Sequence, residues 1–253
     1  VAENSGGPLC IKYGVTKQYV LGLEVVLPDG YVLKTGGLTV KNRTGYDLLP
    51  LFTGSEGTLG VITKITLRLI PKPAARKTIM AIFDDMTLAG GVVSDILANG
   101  IVPAKAEFVD NFVIRRIEEK MHLGLPVEAN TMLLIDVDGS LAAVENEAEQ
   151  ILDLLKKGGA SIARLAKDEA EATMYWKARS AGFAAIYSAA KTVIAEDVTV
   201  PRDRLAEFIK KLDAISKESG FEIVLIGHAG DGNIHPSVFT NSTEKKDLDR
   251  LQD

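Results

Sequence analysis

From residue 61 to 69 the chain alternates: Val61, Thr63, Ile65, Leu67 and Leu69 fall on one side, Ile62, Lys64, Thr66 and Arg68 on the other. A period of two is that of a strand, and Pro71 and Pro73, which cannot donate to a ladder, end it. Upstream, "YVLGLEVVLPDGYVLKTG" predicts two more strands joined by a turn at Pro28-Asp29-Gly30. Beyond the prolines the rhythm changes. "KTIMAIF", "AKAEFVD", "TMLLIDV", "SIARLA", "TVIAEDVTVP" and "FEIVLIGH" predict strands, while "TLAGGVVSDILANG", "SLAAVENEAEQILDLLKKGG" and "RDRLAEFIKKLDAISKESG" carry helical spacing with a glycine just past the last turn. "DEAEATMYWKARSAGFAAIYSAA" predicts one further helix, and "EKMHLGLP" around His122 reads as a loop. The expected fold class is α+β: a β-rich part over residues 1–73, then residues 74–253 as repeated β-α-β units of ferredoxin-like type, their helices covering one face of an antiparallel or mixed sheet.

Composition narrows the partners. Among 253 residues the net charge is -5, with lysines and arginines scattered, which argues against a nucleic-acid surface. The single cysteine, Cys10, excludes an intrachain disulfide framework and fits a reducing compartment. No apolar run approaches the ~20 residues of a membrane span, and "VAENSGGP" lacks the layout of a signal peptide. A cytoplasmic protein is the expectation. The chain starts on a glycine loop and stops inside the helix-like "KKDLDRLQD", so it is expected to be the middle of a longer protein.

Four stretches carry candidate chemistry. "GHAGDGNIH" holds His228 and His235, two of only three histidines, around Asp231-Gly232. If Asp231-Gly232 form a two-residue type I′ turn, His228 lies directly opposite His235, with Cβ atoms ~4.5–5.5 Å apart. Two imidazoles at that distance can share a metal ion or grip an anion; the other reading is a polar hairpin tip. A third ligand must come from elsewhere, with Glu196 and Asp197 as candidates. In "FTGSEGTLGVIT", Gly54, Gly57 and Gly60 let backbone amides approach an anion or a flat ligand, or simply build an elaborate turn. "ENSGGP" offers Asn4, Ser5, Gly6 and Gly7 in the same way. In "MYWKARSAGF", Trp176, Arg179 and Phe183 share a helix face, where Arg179 is either a stacked structural residue or a carboxylate grip.

"NSGGP…YG…VLGLEVVLPDG", "GYDLLPLFTGSEGTLGVITKITLRLIPKP" and "GHAGDGNIHP" resemble, in order and over the whole chain, the FAD-linked oxidases of the vanillyl-alcohol-oxidase and PCMH type. Glycolate oxidase flavin subunits, D-lactate dehydrogenases and D-2-hydroxyglutarate dehydrogenase belong to that family. The resemblance implies the second half of an FAD-binding domain over residues 1–73 and a cap, or substrate, domain over 74–253, incomplete at its C-terminus. It places Asn4, Gly6, Gly7, Gly14, Glu56, Gly57, Gly60, Val61 and Ile62 along FAD. His228 and His235 become substrate-binding ligands of a divalent metal, zinc or another, and Arg179 the grip on a hydroxyacid carboxylate. A third metal ligand and a catalytic histidine, in a Glu-His-Gly element, are expected after Asp253, so no catalytic residue is assigned within the chain. Where the D-2-hydroxyglutarate enzyme carries a lysine, this chain has Ala195 followed by Glu196, which favours a monocarboxylate such as lactate or glycolate. The implied activity is oxidation of a small D-2-hydroxy acid by hydride transfer to flavin. Electrons would leave to an electron-transfer flavoprotein or iron-sulfur subunit, in an arrangement that could be homodimeric or peripheral to a membrane. Two readings outside this class are a flavin-free metalloprotein of hydrolase type and a non-catalytic interaction domain.

Overall fold

The computed structural model describes residues 1–39, 41, 42 and 44–252; Val40, Arg43 and Asp253 lie outside the described residues. The chain divides into two compact units, Val1–Lys72 and Pro73–Asp253.

The first unit runs α1 (Cys10–Tyr13), β1 (Val20–Val26), β2 (Val32–Gly36), α2 (Leu49–Phe52) and β3 (Val61–Leu67). Its antiparallel sheet has the order β2-β1-β3. The β1–β2 turn is closed by Leu27 and Gly30, with Asp29 Oδ1 accepting from the Tyr31 amide. Val20, Leu23, Val25 and Phe52 form a small core, and Ile62, paired with Val25, packs against it. The alternation in β3 therefore buries the Ile62 side, while Val61, Ile65 and Leu67, together with Leu69 beyond the strand, stand exposed. The period is as expected; the apolar side is the open one.

The second unit runs β4 (Ala75–Phe83), α3 (Met86–Ala98), β5 (Lys105–Asp110), α4 (Asn111–Met121), β6 (Thr131–Gly139), α5 (Leu141–Lys157), β7 (Ile162–Leu165), α6 (Glu169–Ser180), α7 (Gly182–Tyr187), β8 (Thr192–Ala195), β9 (Val198–Thr199), α8 (Leu205–Ser219), β10 (Ile223–His228), β11 (Asn233–Thr240) and α9 (Lys245–Gln252). The strands make one sheet in the order β7-β4-β6-β5-β10-β11-β8, with β9 also on β11, and every described pairing is antiparallel.

Helices cover both faces, which corrects the expectation of a one-sided sheet. Residues of α3, α5 and α8 close one core with Ile79, Phe108, Leu133, Ile135 and Ile234. On the other face α4, α6 and α7 pack over Met80, Val109, Met132, Leu134 and Ile226. That is why residues 132–135 are a continuous apolar run: over residues 131–137 neither face of β6 meets water.

Three elements differ from the sequence reading. Helix α4 follows β5 without a loop, because Asp110 ends the strand and caps the helix through the Phe112 amide. His122 is then the left-handed C-cap of α4. The single helix around Trp176 breaks at Ala181 into α6 and α7, and the break seats Gly182 against Ile226 so closely that a Cβ would meet its Cδ1 at 2.2 Å. "TVIAEDVTVP" is interrupted at Glu196-Asp197 beside Pro236, which has no N–H to give the ladder.

Candidate functional site

The histidine hairpin pairs differently from its expected register. His228 opposes Asn233 and His235 opposes Ile226, leaving the four-residue loop Ala229–Gly232. A type I′ turn needs positive φ at both central residues, yet between Asp231 and Gly232 only Gly232 has it, at 78°. The wider loop is held by the sheet around it: Gly230 N–H donates to Ala106 O, and Gly232 O accepts from Val200 N–H. The displacement is two residues, so both histidines remain on one face. Their rings meet nearly at right angles with centroids 5.5 Å apart, and Phe183 of α7 sets its edge against His235 at 5.0 Å.

Beneath them lies Glu107, fully buried on β5. Its Oε1 is 2.6 Å from His228 Nδ1, and its Oε2 is 2.7 Å from an Arg179 Nη atom. Arg179 is itself buried on α6. One carboxylate thus joins a strand-end histidine to a helix arginine. Burial disfavours the charged form of His228, but Glu107 and then Asp231 outweigh it and hold the imidazole above its ordinary range. His235 goes the other way, pulled down by burial with His228 and Arg179 adding to it. Burial lowers Arg179 as well, against the attraction of Glu107. Arg179 Nε, Asn233 Oδ1 and Ser237 Oγ are buried without hydrogen-bond partners among the described residues. Asn233, His235 and Ser237 alternate onto one face of β11, so the two orphaned oxygens of that strand flank His235 on its own face.

The expected helix face is divided by the break at Ala181, with Trp176 and Arg179 on α6 and Phe183 on α7, and its three residues meet different strands. Trp176 donates from Nε1 to Asp136 Oδ1 on β6 at 2.8 Å, Arg179 reaches Glu107 on β5, and Phe183 touches His235 on β11. Arg179 is therefore ion-paired rather than sandwiched between aromatics. Asp197 Oδ1 lies 3.5 Å from His235 Nδ1 with its side chain largely exposed. Among the described residues no group of three His, Cys, Asp or Glu side chains could hold a metal ion. His228 and His235 supply two donors for such an ion, with Nδ1 of His228 already engaged and its Nε2 left over.

Sequence reasoning missed Glu107, Asn233 and Ser237. The one signal for Glu107 was an acid amid apolar residues in "AKAEFVD", which does not separate a buried acid from one on an open face.

In the first unit, the two glycine stretches lie together. Val1 O accepts from Gly54 N–H and Ala2 O from Glu56 N–H, so the residues leading into "ENSGG" run beside "TGSEGT", and a Cβ on Gly54 would lie 3.2 Å from Asn4 Cβ. Asn4 and Glu56 both have positive φ, 53° and 52°, a strained choice for residues other than glycine. Asn4 Oδ1 accepts from the Lys17 amide. A Cβ on Gly7 or Gly57 would meet nothing within 4 Å, and Thr53 Oγ1 and Ser55 Oγ are buried without partners among the described residues. Open space beside glycines, strained backbone and unpaired hydroxyls suit a large polar ligand. Gly6 packs against Cys10, Gly14 leaves room for the Gln18 side chain, and Gly60 lies against Val25 and Val26 as the loop enters β3 with Val61 and Ile62.

Comparison with known proteins gives this geometry a lineage. The chain is 42% identical over 252 residues to the glycolate oxidase subunit GlcD of Bacillus subtilis, covering 100% of this chain and 54% of that protein. It is 34% identical over 256 residues to a D-lactate dehydrogenase of Anaerostipes hadrus, covering 97% and 53%. The chain thus spans about half the length of these relatives. Among solved structures, substrate-bound p-cresol methylhydroxylase shares the fold with a TM-score of 0.66 at 16% identity, over 93% of this chain and 54% of that one. Residues 72–253 match the model of the FAD linked oxidases, C-terminal domain, and the chain belongs to that family.

Proposed function

We propose that the protein containing this chain oxidises a small D-2-hydroxy acid, of the lactate or glycolate type, with FAD as the immediate electron acceptor. The observation that carries the reading is the cluster on one sheet face, where Glu107 joins Arg179 to His228 and His235 stands alongside. A hydroxyacid needs a cation for its carboxylate and a polarising group for its hydroxyl, and the cluster offers both kinds of donor. Arg179 binds the carboxylate, its buried and unpaired Nε being one of the donors left to satisfy. His228 and His235 would hold a divalent ion, zinc or another, together with at least one further ligand, and such an ion would supply Lewis-acid polarisation of the substrate hydroxyl. Phe183 and the apolar core under the helices keep water from this side of the site.

The first unit acts as part of the FAD-binding domain. Asn4, Gly6, Gly7, Gly14, Glu56, Gly57, Gly60, Val61 and Ile62 line the cofactor, with the open side of Gly57 and the Thr53 and Ser55 hydroxyls facing it. FAD, when bound, would supply the acceptor for the C2 hydride, with the hydroxyl proton leaving to a general base; this chain's part is to bind and orient. Ala195, paired with Ser237 on β11, offers no cation for a second carboxylate, which supports a monocarboxylate. Electrons then pass to an electron-transfer flavoprotein or iron-sulfur subunit. No described helix is long and apolar enough to cross a membrane, in keeping with a cytoplasmic enzyme or one held at a membrane by its partner.

The test is anaerobic addition of D-lactate, glycolate and D-2-hydroxyglutarate in turn to the full-length flavoprotein, following the visible flavin band with and without a chelator. Bleaching by one monocarboxylate, blocked by the chelator, is the expected result. A flavin-loaded protein that none of the three reduces refutes the substrate class. Bleaching that a chelator leaves untouched refutes the metal.

A further inference from the structure

The buried carboxylate of Glu107 does more than neutralise Arg179. Its two oxygens divide between two partners: Oε1 to His228 Nδ1 at 2.6 Å, Oε2 to Arg179 at 2.7 Å. Glu107 has no solvent exposure, and His228 and Arg179 are largely buried around it, so neither partner has water as a ready substitute. An imidazole whose Nδ1 carries the proton has its lone pair on Nε2, and the acceptor at Nδ1 decides which nitrogen that is. We propose that Glu107 is the positioning residue of the site: by accepting the His228 Nδ1 proton it fixes the tautomer that offers Nε2 as a ligand, and with its second oxygen it holds the substrate-binding Arg179. This rests on the metal and carboxylate reading above and adds the group that sets both donors at once.

The division between the oxygens makes a specific consequence. In Glu107→Gln only one oxygen remains, and the buried Arg179 cation competes for it. The introduced amide nitrogen then faces His228 Nδ1 and donates to it, which moves the imidazole proton to Nε2 and removes the lone pair a metal needs. Removing the competitor reverses this. In Glu107→Gln with Arg179→Met the amide oxygen is free to accept from Nδ1, whereas Glu107→Leu with Arg179→Met has no acceptor at all. Both double variants replace a buried ion pair by uncharged groups of similar size, an exchange that folds tolerate.

The experiment is zinc titration of the full-length, flavin-loaded protein against a chromophoric chelator, without substrate. The expected order has the unsubstituted protein and Glu107→Gln with Arg179→Met within a few-fold of each other. Glu107→Gln alone, and Glu107→Leu with Arg179→Met, bind about 10- to 100-fold more weakly, the usual effect of losing a partner behind a metal-bound histidine. Equal zinc affinity in the two double variants overturns the role of Glu107, and that comparison holds even if the single variant does not fold. His228→Ala separates the two readings. If it abolishes zinc binding while the Glu107 variants all match the unsubstituted protein, the metal site stands and its positioning residue lies elsewhere. If the unsubstituted protein does not bind zinc, both fall.

Discussion

Replacing Asp136 by leucine tests whether α6 is anchored to the sheet through buried polar contacts. Asp136 is fully buried on β6 and accepts from Thr78 Oγ1 at 2.6 Å and Trp176 Nε1 at 2.8 Å. Lys105 Nζ lies 3.5 Å away, stacked over the Trp176 ring at 4.2 Å, and Arg76 lies at 3.7 Å. Leucine leaves the indole and hydroxyl donors without their acceptor, at about 1–3 kcal/mol each. Thr78 Oγ1, at 3.4 Å from Trp176 Nε1, recovers part of this, and the added apolar burial recovers more. The net expectation is a loss of about 3 kcal/mol. Asparagine keeps an oxygen for both donors and loses only the attraction of two partly exposed cations, about 1 kcal/mol. Urea unfolding of the two variants beside the unsubstituted protein measures both values. Because Arg179 sits one turn beyond Trp176 on α6, the leucine variant should also raise KM for the hydroxyacid more than it lowers kcat. Equal losses for leucine and asparagine, or a leucine loss below about 1 kcal/mol, refute the anchor.

Four further substitutions probe other parts of the argument. In Gly227→Ala the new methyl would lie 2.7 Å from Asn233 O and 2.8 Å from Ile234 Cα, both backbone atoms; a loss of about 1–3 kcal/mol by urea unfolding is expected, and an unchanged midpoint contradicts the close strand approach. Glu171 is held down to about 2, first by its hydrogen bonds from Arg164 and then by that from the Lys167 amide. Its folded pKa is depressed, so its contribution is complete above the ordinary carboxylate range and lost as pH falls toward 2; Glu171→Gln should cost about 1 kcal/mol at neutral pH after solvent screening. That gap should close on acidification, and a gap independent of pH would count against the pairing. Arg179→Met alone strands the Glu107 carboxylate and should cost about 3–5 kcal/mol, most of it regained on adding Glu107→Gln; additive losses in that cycle would deny the coupling. Gly57→Ala places a methyl group in open space at a φ of 76°. It should cost about 1–2 kcal/mol in stability yet release most of the flavin, and full flavin occupancy by absorbance would remove Gly57 from the cofactor site.

How far the sequence reaches depends on whether a feature is local. Period-two runs such as β3 and capped helices such as α5, with Ser140 at its start, are decided within a few residues and were legible. Which side of β3 is buried is not local: β1 and α2 supply the core against Ile62, and the more regular apolar side stays exposed. Helix α4 escaped because one residue, Asp110, serves as both strand end and cap, so no loop marked the change. The site divides in the same way. His228 and His235 could be placed on one face from spacing alone, since a hairpin slipped by two residues keeps its faces even though the turn was wrong. A slip of one would have separated them. Arg179 could be singled out beside two aromatics but not what it would meet, because Glu107 comes from a strand 72 positions earlier and reads in the sequence like any exposed acid. What identifies Glu107 is its zero exposure and its two partners, and both exist only once β5 is set beside β10 and beneath α6. The residue least visible in the sequence thus lies between two that the sequence singled out, His228 and Arg179, because those two stand in local motifs while their alignment comes from the sheet.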